Sequence, residues 1–304
     1  MGKLWTQIQE NLSFVLVCIA IVAGLSLLAR FAERYLPEKR RVSSARRVSI
    51  IGICSAIATV LHMLDFPLIF VAPEFYKLDF SELPVLLCGF YLGPSAAVAT
   101  EGVKILLKLL LKSTSTAFVG DFANFVVGCS FVLPATIWYH AHKSRHSAVL
   151  GLVVGTLSMT VLGTAFNAVY LLPKFAQLYG IPLEAIIAMG ADINAAITGV
   201  GTFVMICVAP LNLIKGISVS ALTMTVLGTA FNAVYLLPKF SQLFGLPLDT
   251  IIAMGSAIRS GVSNVTTFVI LCVAPLNLVK GVSVSVLTML LYKRVARPLF
   301  GIKK

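Results

Sequence analysis

Apolar residues gather in runs close to the roughly 20 needed to cross a bilayer as a helix: residues 12–30, 48–65, 95–111, 119–139, 148–172 and a long stretch reaching 297. Short polar connectors separate them. The alternating segments of a transmembrane barrel do not occur, so the pattern predicts an all-α integral membrane protein whose spans satisfy their own backbone hydrogen bonds. Composition agrees, since 58% hydrophobic residues, 12% charged residues and a mean hydropathy of +0.95 exclude an ordinary soluble domain.

The formal charge of +12 could suggest nucleic acid, but the basic residues sit between apolar runs rather than along one polar face. They read as topology signals, with no nucleic-acid partner. Arg30, Arg34, Lys39, Arg40, Arg41, Arg46 and Arg47 follow the first run, Lys143 and Arg145 fill "HAHKSRHS", and "YKRVARPLFGIKK" closes the chain. The positive-inside rule puts all three clusters in the cytoplasm and leaves Lys108 and Lys112 on the opposite side. Only Lys3 precedes the first run and no small-residue cleavage site follows it, so residues 1–47 are expected to be an anchor helix with a basic linker. Residues 48–298 form the membrane domain and 299–304 a cytoplasmic tail.

The six cysteines, Cys18, Cys54, Cys88, Cys129, Cys207 and Cys272, lie singly in apolar runs and read as small buried hydrophobes. His140 and His142 read as interfacial residues, because nothing near them supplies further ligands. No metal site and no nucleophile with its base is evident, so an enzyme is not expected.

Ionisable residues in membrane spans are costly and therefore informative. The stretch "APEFYKLDFSELP", residues 72–84, mixes Glu74, Lys77, Asp79 and Glu82 with Phe75, Tyr76 and Phe80. It suits an outer loop over a binding mouth, or an interfacial loop with an aromatic belt. Glu101, Lys104 and Lys108 are spaced to share one helical face, and Asp121 and Asn124 are three apart at the start of the next span. Structural glue explains such a seam as well as a ligand site does. Asn167 precedes Tyr170 and Pro173, while Asn212 with Lys215 and Asn277 with Lys280 are i, i+3 pairs after a proline. An amide with an ammonium in an apolar wall can hold the hydroxyls and carbonyls of a polar ligand.

"KLDFSELPVLLCGFYLGP", "EGVKILLKLLLKSTSTAFVGDFANF", "FNAVYLLPKF" and "PLNLIKG" together resemble the successive signatures of the riboflavin-binding S component of energy-coupling-factor (ECF) vitamin transporters, over residues 48–298. That resemblance implies a six-helix substrate-binding subunit in the cell membrane. It also implies a transmembrane coupling subunit and two cytoplasmic ATPases as partners, with riboflavin as transported ligand rather than cofactor. By the same resemblance Lys77, Leu78 and Asp79 belong to an outer gate, and Asn124, Asn167, Asn277 and Lys280 face the ligand. Independently of the family, a flat tricycle with a polyhydroxyl chain needs apolar walls such as Phe75, Tyr76, Phe80 and Phe166 together with amides. The chain has no GxxxxGK[ST] phosphate loop, so ATP must be spent by a partner. Gly52 and Ala56 give a small-residue helix face; the resemblance makes it a docking site for the coupling subunit, and packing within the bundle explains it too.

Residues 160–224 align without a gap to 225–289; 19 of the 65 pairs differ and 46 are identical. A same-direction repeat this similar reads as a recent tandem duplication of a helical hairpin. Residues 212–237 contain no polar turn and are expected to form one fused helix on the order of 39 Å long. Residues 186–208 are then expected to cross as well, giving about nine crossings with the anchor. Because only the second copy runs on into a basic end, the expected site takes Asn167 from the first copy and Asn277 and Lys280 from the second. Asn212, Lys215 and Asn232 become spare. Another flavin or vitamin as ligand, or a membrane protein inactivated by the duplication, are the readings the sequence leaves open.

Overall fold

The computed structural model describes residues 12–36, 42–112 and 118–279. It is almost wholly helical, and it divides into two compact units, residues 1–216 and 217–304, the division falling inside one helix.

The first unit holds α1 (Leu12–Tyr35), α2 (Ser44–Met63), α3 (Glu82–Leu92), α4 (Pro94–Leu111), α5 (Val119–His142), α6 (Arg145–Phe166), α7 (Leu172–Tyr179), α8 (Leu183–Ala191), α9 (Val200–Phe203) and the start of α10 (Ala209–Phe231). A π turn over Asn167–Leu171 joins α6 to α7, and another over Val204–Val208 joins α9 to α10. Each π turn ends two residues before a proline, Pro173 or Pro210. A proline has no N–H to give the carbonyl four residues back, so the helix continues by widening one turn. Besides α1 and the short α8, the helical segments of this unit are α2, α3, α4, α5, α6 with α7, and α9 with the first part of α10.

Hydrophobic burial does little to hold helices together in lipid, where close packing and polar contacts take over. The α5–α6 pair illustrates this. A Cβ added at Gly151 would lie 2.6 Å from the Ala135 carbonyl oxygen, and one at Gly155 would lie 2.5 Å from that of Phe131. Only hydrogen at these two positions lets the backbones approach so closely. Ser144 caps α6 by accepting from the Ser147 N–H at 3.0 Å.

The N-terminal helix does more than anchor. Ala29 of α1 is fully buried against α4 and α5, in a cluster with Val98, Ile105, Phe125, Cys129 and Leu133. Cys18 and Ile21 pack on Val119 and Phe122, and Glu33 reaches Arg47 at 3.8 Å.

Two expectations need correction. Residues 186–208 are not one crossing: α8 stops at Ala191, and Asp192 to Gly199 form a turn in which Asn194 Oδ1 accepts from the Ala196 N–H at 3.0 Å. Asp and Asn side chains compete with the helix for its own backbone groups, which breaks it at that point. Asp192 and Asn194 are exposed, and the difficulty of burying them does not arise. Five helices among the described residues are long and apolar enough to cross a membrane, against the nine or so expected.

In the second unit the rest of α10 is followed without a turn by a π turn over Asn232–Leu236 and by α11 (Leu237–Phe244), as expected for residues 212–237. Then come α12 (Leu248–Ile258), α13 (Val265–Phe268) and a π turn over Val269–Val273. The repeat reproduces details of the first copy. Asn232 Nδ2 donates to the Gly228 carbonyl at 2.8 Å, as Asn167 Nδ2 does to that of Gly163.

Candidate functional site

The 64–81 connection joins α2 to α3 at one end of the first unit. Its ends pair as a minimal antiparallel ladder, β1 (Phe66–Pro67) with β2 (Lys77–Leu78), in the register Phe66 to Leu78 and Pro67 to Lys77. Lys77 is thereby brought 3.2 Å from Asp65. Between the strands, the Tyr76 hydroxyl donates to Asn167 Oδ1 at 2.8 Å, and Phe75 stacks on Phe175 with centroids 5.3 Å apart. The loop is thus pinned to the π turn between α6 and α7.

Beneath the loop lies a buried ionic network. Lys215 Nζ is 3.0 Å from Asp79 Oδ2 and 3.0 Å from Glu82 Oε1. His62 Nδ1 is 3.3 Å from the same Asp79 oxygen, and the Ser81 N–H donates to the other at 2.8 Å. Lys104 Nζ contacts Glu82 at 3.4 Å, donates to the Ser81 hydroxyl at 3.0 Å and pairs with Glu101 one turn back. Burial alone would raise the Asp79 carboxyl, but the Lys215 ammonium, His62 and Lys104 together hold it well below the usual carboxylate range. Charges this deep persist only as partnered sets.

Between loop and network is a cavity of about 450 Å³, within the range of small-molecule sites. Phe75, Tyr76 and Phe175 supply aromatic wall, and Val127, Leu171, Leu172, Val208 and Leu211 aliphatic wall. Three amides face it, Asn124, Asn167 and Asn212, along with the pairs Lys77–Asp65, Lys108–Asp121 and Lys215–Asp79. Asn212 Nδ2 and Asp121 Oδ2 are buried with no hydrogen-bond partner among the described residues, and such groups call for a ligand or water. Among the described residues no cluster of His, Cys, Asp and Glu could hold a metal ion.

Of the residues singled out in the sequence, Lys77, Asp79, Asn124 and Asn167 line this cavity. Leu78 is buried and Phe80 packs on Phe66, 6.1 Å between centroids, both away from the lining. Phe166 packs instead on Tyr170 and Phe122. The lining of this cavity differs from what was expected of the two copies. Asn212 and Lys215, held to be spare, line the cavity. Asn277 belongs to the second unit, where its amide donates to the Thr229 hydroxyl at 3.3 Å; Asn232 is in that unit too, and Lys280 lies outside the described residues. The physical reason is that α9 follows the α8 turn directly and already supplies the sixth helix. Gly52 and Ala56 are exposed on α2, and nothing stands within 4 Å of where a Gly52 Cβ would be. His62, Asp65, Lys108, Phe175, Val208 and Leu211 had not been singled out as cavity residues. The i, i+3, i+7 spacing of Glu101, Lys104 and Lys108 was the one signal pointing to Lys108, which pairs at 2.5 Å with Asp121 on the neighbouring helix.

Residues 46–227 match the family model of the ECF transporter substrate-specific component. The riboflavin transporter RibU of Staphylococcus aureus (strain TCH60) is 34% identical over 183 residues, 60% of this chain and 89% of that protein. The riboflavin transporter FmnP of Bacillus subtilis (strain 168) is 29% identical over 176 residues, 58% of this chain and 86% of that protein. A solved structure described as the S component of a bacterial ECF transporter has a TM-score of 0.52 and 33% identity, covering 64% of this chain and 99% of its own. One copy of the repeat suffices for the family match, which ends three residues into the second.

Proposed function

Because the chain belongs to the ECF transporter substrate-specific components, a family of membrane proteins, we propose that its outer cavity binds riboflavin and that the protein is the riboflavin-specific subunit of an ATP-driven importer in the cell membrane. The observation that carries this reading is the cavity itself. Aromatic and aliphatic side chains form a slot for a flat tricycle, and Asn124, Asn167 and Asn212 face it with amides able to hold a polyhydroxyl chain. Two relatives named as riboflavin transporters support the choice of vitamin.

The ligand-facing amide and ammonium of the last core helix are Asn212 and Lys215. Among the described residues the lining falls at or before Lys215, which supports a wall built by the first copy and a binding function that survives the duplication. Lys77 and Tyr76 belong to a gate that must open to admit the vitamin from outside.

ATP hydrolysis falls to two cytoplasmic ATPase subunits acting through a transmembrane coupling subunit. The exposed Gly52 and Ala56 face of α2 receives that subunit, since small residues let helices approach closely.

The test is purification in detergent followed by titration with riboflavin. Flavin absorbance in the purified protein and saturable quenching of riboflavin emission are expected. Colourless protein that leaves the emission untouched, while remaining folded by circular dichroism, sinks the reading.

A further inference from the structure

A second hollow in the first unit shares no residue with the cavity above. It is a groove of about 490 Å³ between α1, α5 and α6, lined mainly by Leu28 of α1, Leu133 and Ile137 of α5 and Val154 of α6. Only Trp138 and His142, toward the end of α5, bring a ring nitrogen to it. From Leu133 to His142 the groove follows α5 for about 14 Å at 1.5 Å per residue. That is close to half of the roughly 30 Å hydrocarbon core of a bilayer, the depth of one leaflet's acyl layer. Because α1 lies outside the family match, the wall that Leu28 adds is no part of the family pattern.

The groove ends among cations. Near the start of α2, Arg47 donates to the Ser95 hydroxyl near the start of α4 at 2.6 Å and lies 3.8 Å from Glu33 near the end of α1. His140 Nε2, near the end of α5, is 3.0 Å from the Gly89 carbonyl oxygen in the last turn of α3, which leads directly into α4. One end of the unit therefore gathers Arg30, Arg34, Arg46, Arg47 and Lys143. Among the described residues of this unit Glu33 is the only carboxylate there, and Arg47 pairs with it.

We propose that this groove holds an acyl chain of one anionic phospholipid, with the phosphate at the cationic end. Apolar side chains match the acyl chain over the depth of a leaflet. The exposed Trp138 sits where amphipathic rings sit in membranes, at the level of the headgroups. A phosphodiester beyond His142 meets the surplus of positive charge, each Lys or Arg near an anionic headgroup strengthening binding about fivefold. A zwitterionic lipid offers the same chain but cancels that charge. The bound lipid would bridge α1 to α5 and α6 and so hold the N-terminal helix to the bundle.

The experiment uses the full chain, purified in detergent, stripped of lipid and incubated with phosphatidylglycerol or phosphatidylcholine of identical acyl chains. Native mass spectrometry counts the lipid retained, and thermal unfolding reads its effect. One phosphatidylglycerol per chain is expected to remain, bound on the order of tenfold or more tightly than phosphatidylcholine, with a raised unfolding temperature. Val154→Phe, which fills the groove, should abolish that retention. Leu28→Trp fills it from α1 and serves if the first variant does not fold. Arg34→Gln combined with Lys143→Gln should bring the two lipids toward equal retention while leaving the groove open. Equal retention of the two lipids by the unaltered chain, or retention of neither, overturns the proposal. Phosphatidylglycerol binding that the folded groove-filling variants leave unchanged overturns it too, since it marks annular lipid only.

Discussion

Lys215 Nζ and Asp79 Oδ2 lie 3.0 Å apart although 136 residues separate them in the chain. The pair ties the first copy of the repeat to the 64–81 connection, which supports the reading that this copy builds the site.

Lys215→Met should remove the only ammonium that touches both Asp79 and Glu82 among the described residues. Breaking a buried pair from one side costs about 3–5 kcal/mol, because the carboxylates stay buried without compensation. Thermal unfolding in detergent should show the loss, and riboflavin titration a matching fall in affinity. The double variant Asn277→Ala with Lys280→Met should leave both near wild type; equal damage from the two sets would reverse the assignment of copies.

Deleting residues 225–289 should preserve riboflavin binding, since among the described residues the cavity is lined by none beyond Lys215. The measurement is the dissociation constant of the shortened protein. A well-folded but non-binding product would mean that the second copy contributes to the site.

Tyr76→Phe removes the hydroxyl that holds the loop to Asn167. One net hydrogen bond is worth about 1 kcal/mol, so riboflavin should leave roughly fivefold faster. Stopped-flow displacement reads this directly, and an unchanged off-rate would remove the loop from the gating role.

Asp79 supplies a pH test. Its folded-state pKa is depressed by Lys215, His62 and Lys104 against the opposing effect of burial. A depressed carboxyl contributes stability in full above its unfolded value of about 3.9, and loses it as pH falls through the folded value. The stability gap between wild type and Asp79→Asn should therefore stay constant from neutral pH to about pH 5 and close only in stronger acid. A gap that stayed constant through stronger acid as well would place the carboxyl in the ordinary range, because a group with the same folded and unfolded pKa adds no pH dependence to stability.

Much of this protein is legible in its sequence. Apolar run lengths give the membrane class and the four motifs give the family, because lipid imposes its length pattern locally on any helix and the motifs are contiguous in the chain. Asn124, Asn167, Lys77 and Asp79 were recognisable as polar residues in costly places. The choice between Lys215 and Lys280 was not legible, because the repeats carry the same Asn and Lys and local sequence cannot rank identical residues. Only the tertiary structure bears on it: the chain breaks at Asp192 to Gly199, and α10 then brings Asn212 and Lys215 to the cavity wall. Partner choice among Asp65, Asp79, Asp121, Lys77, Lys108 and Lys215 was settled in the same way, since an ion pair depends on distance in space between helices and not on distance along the chain.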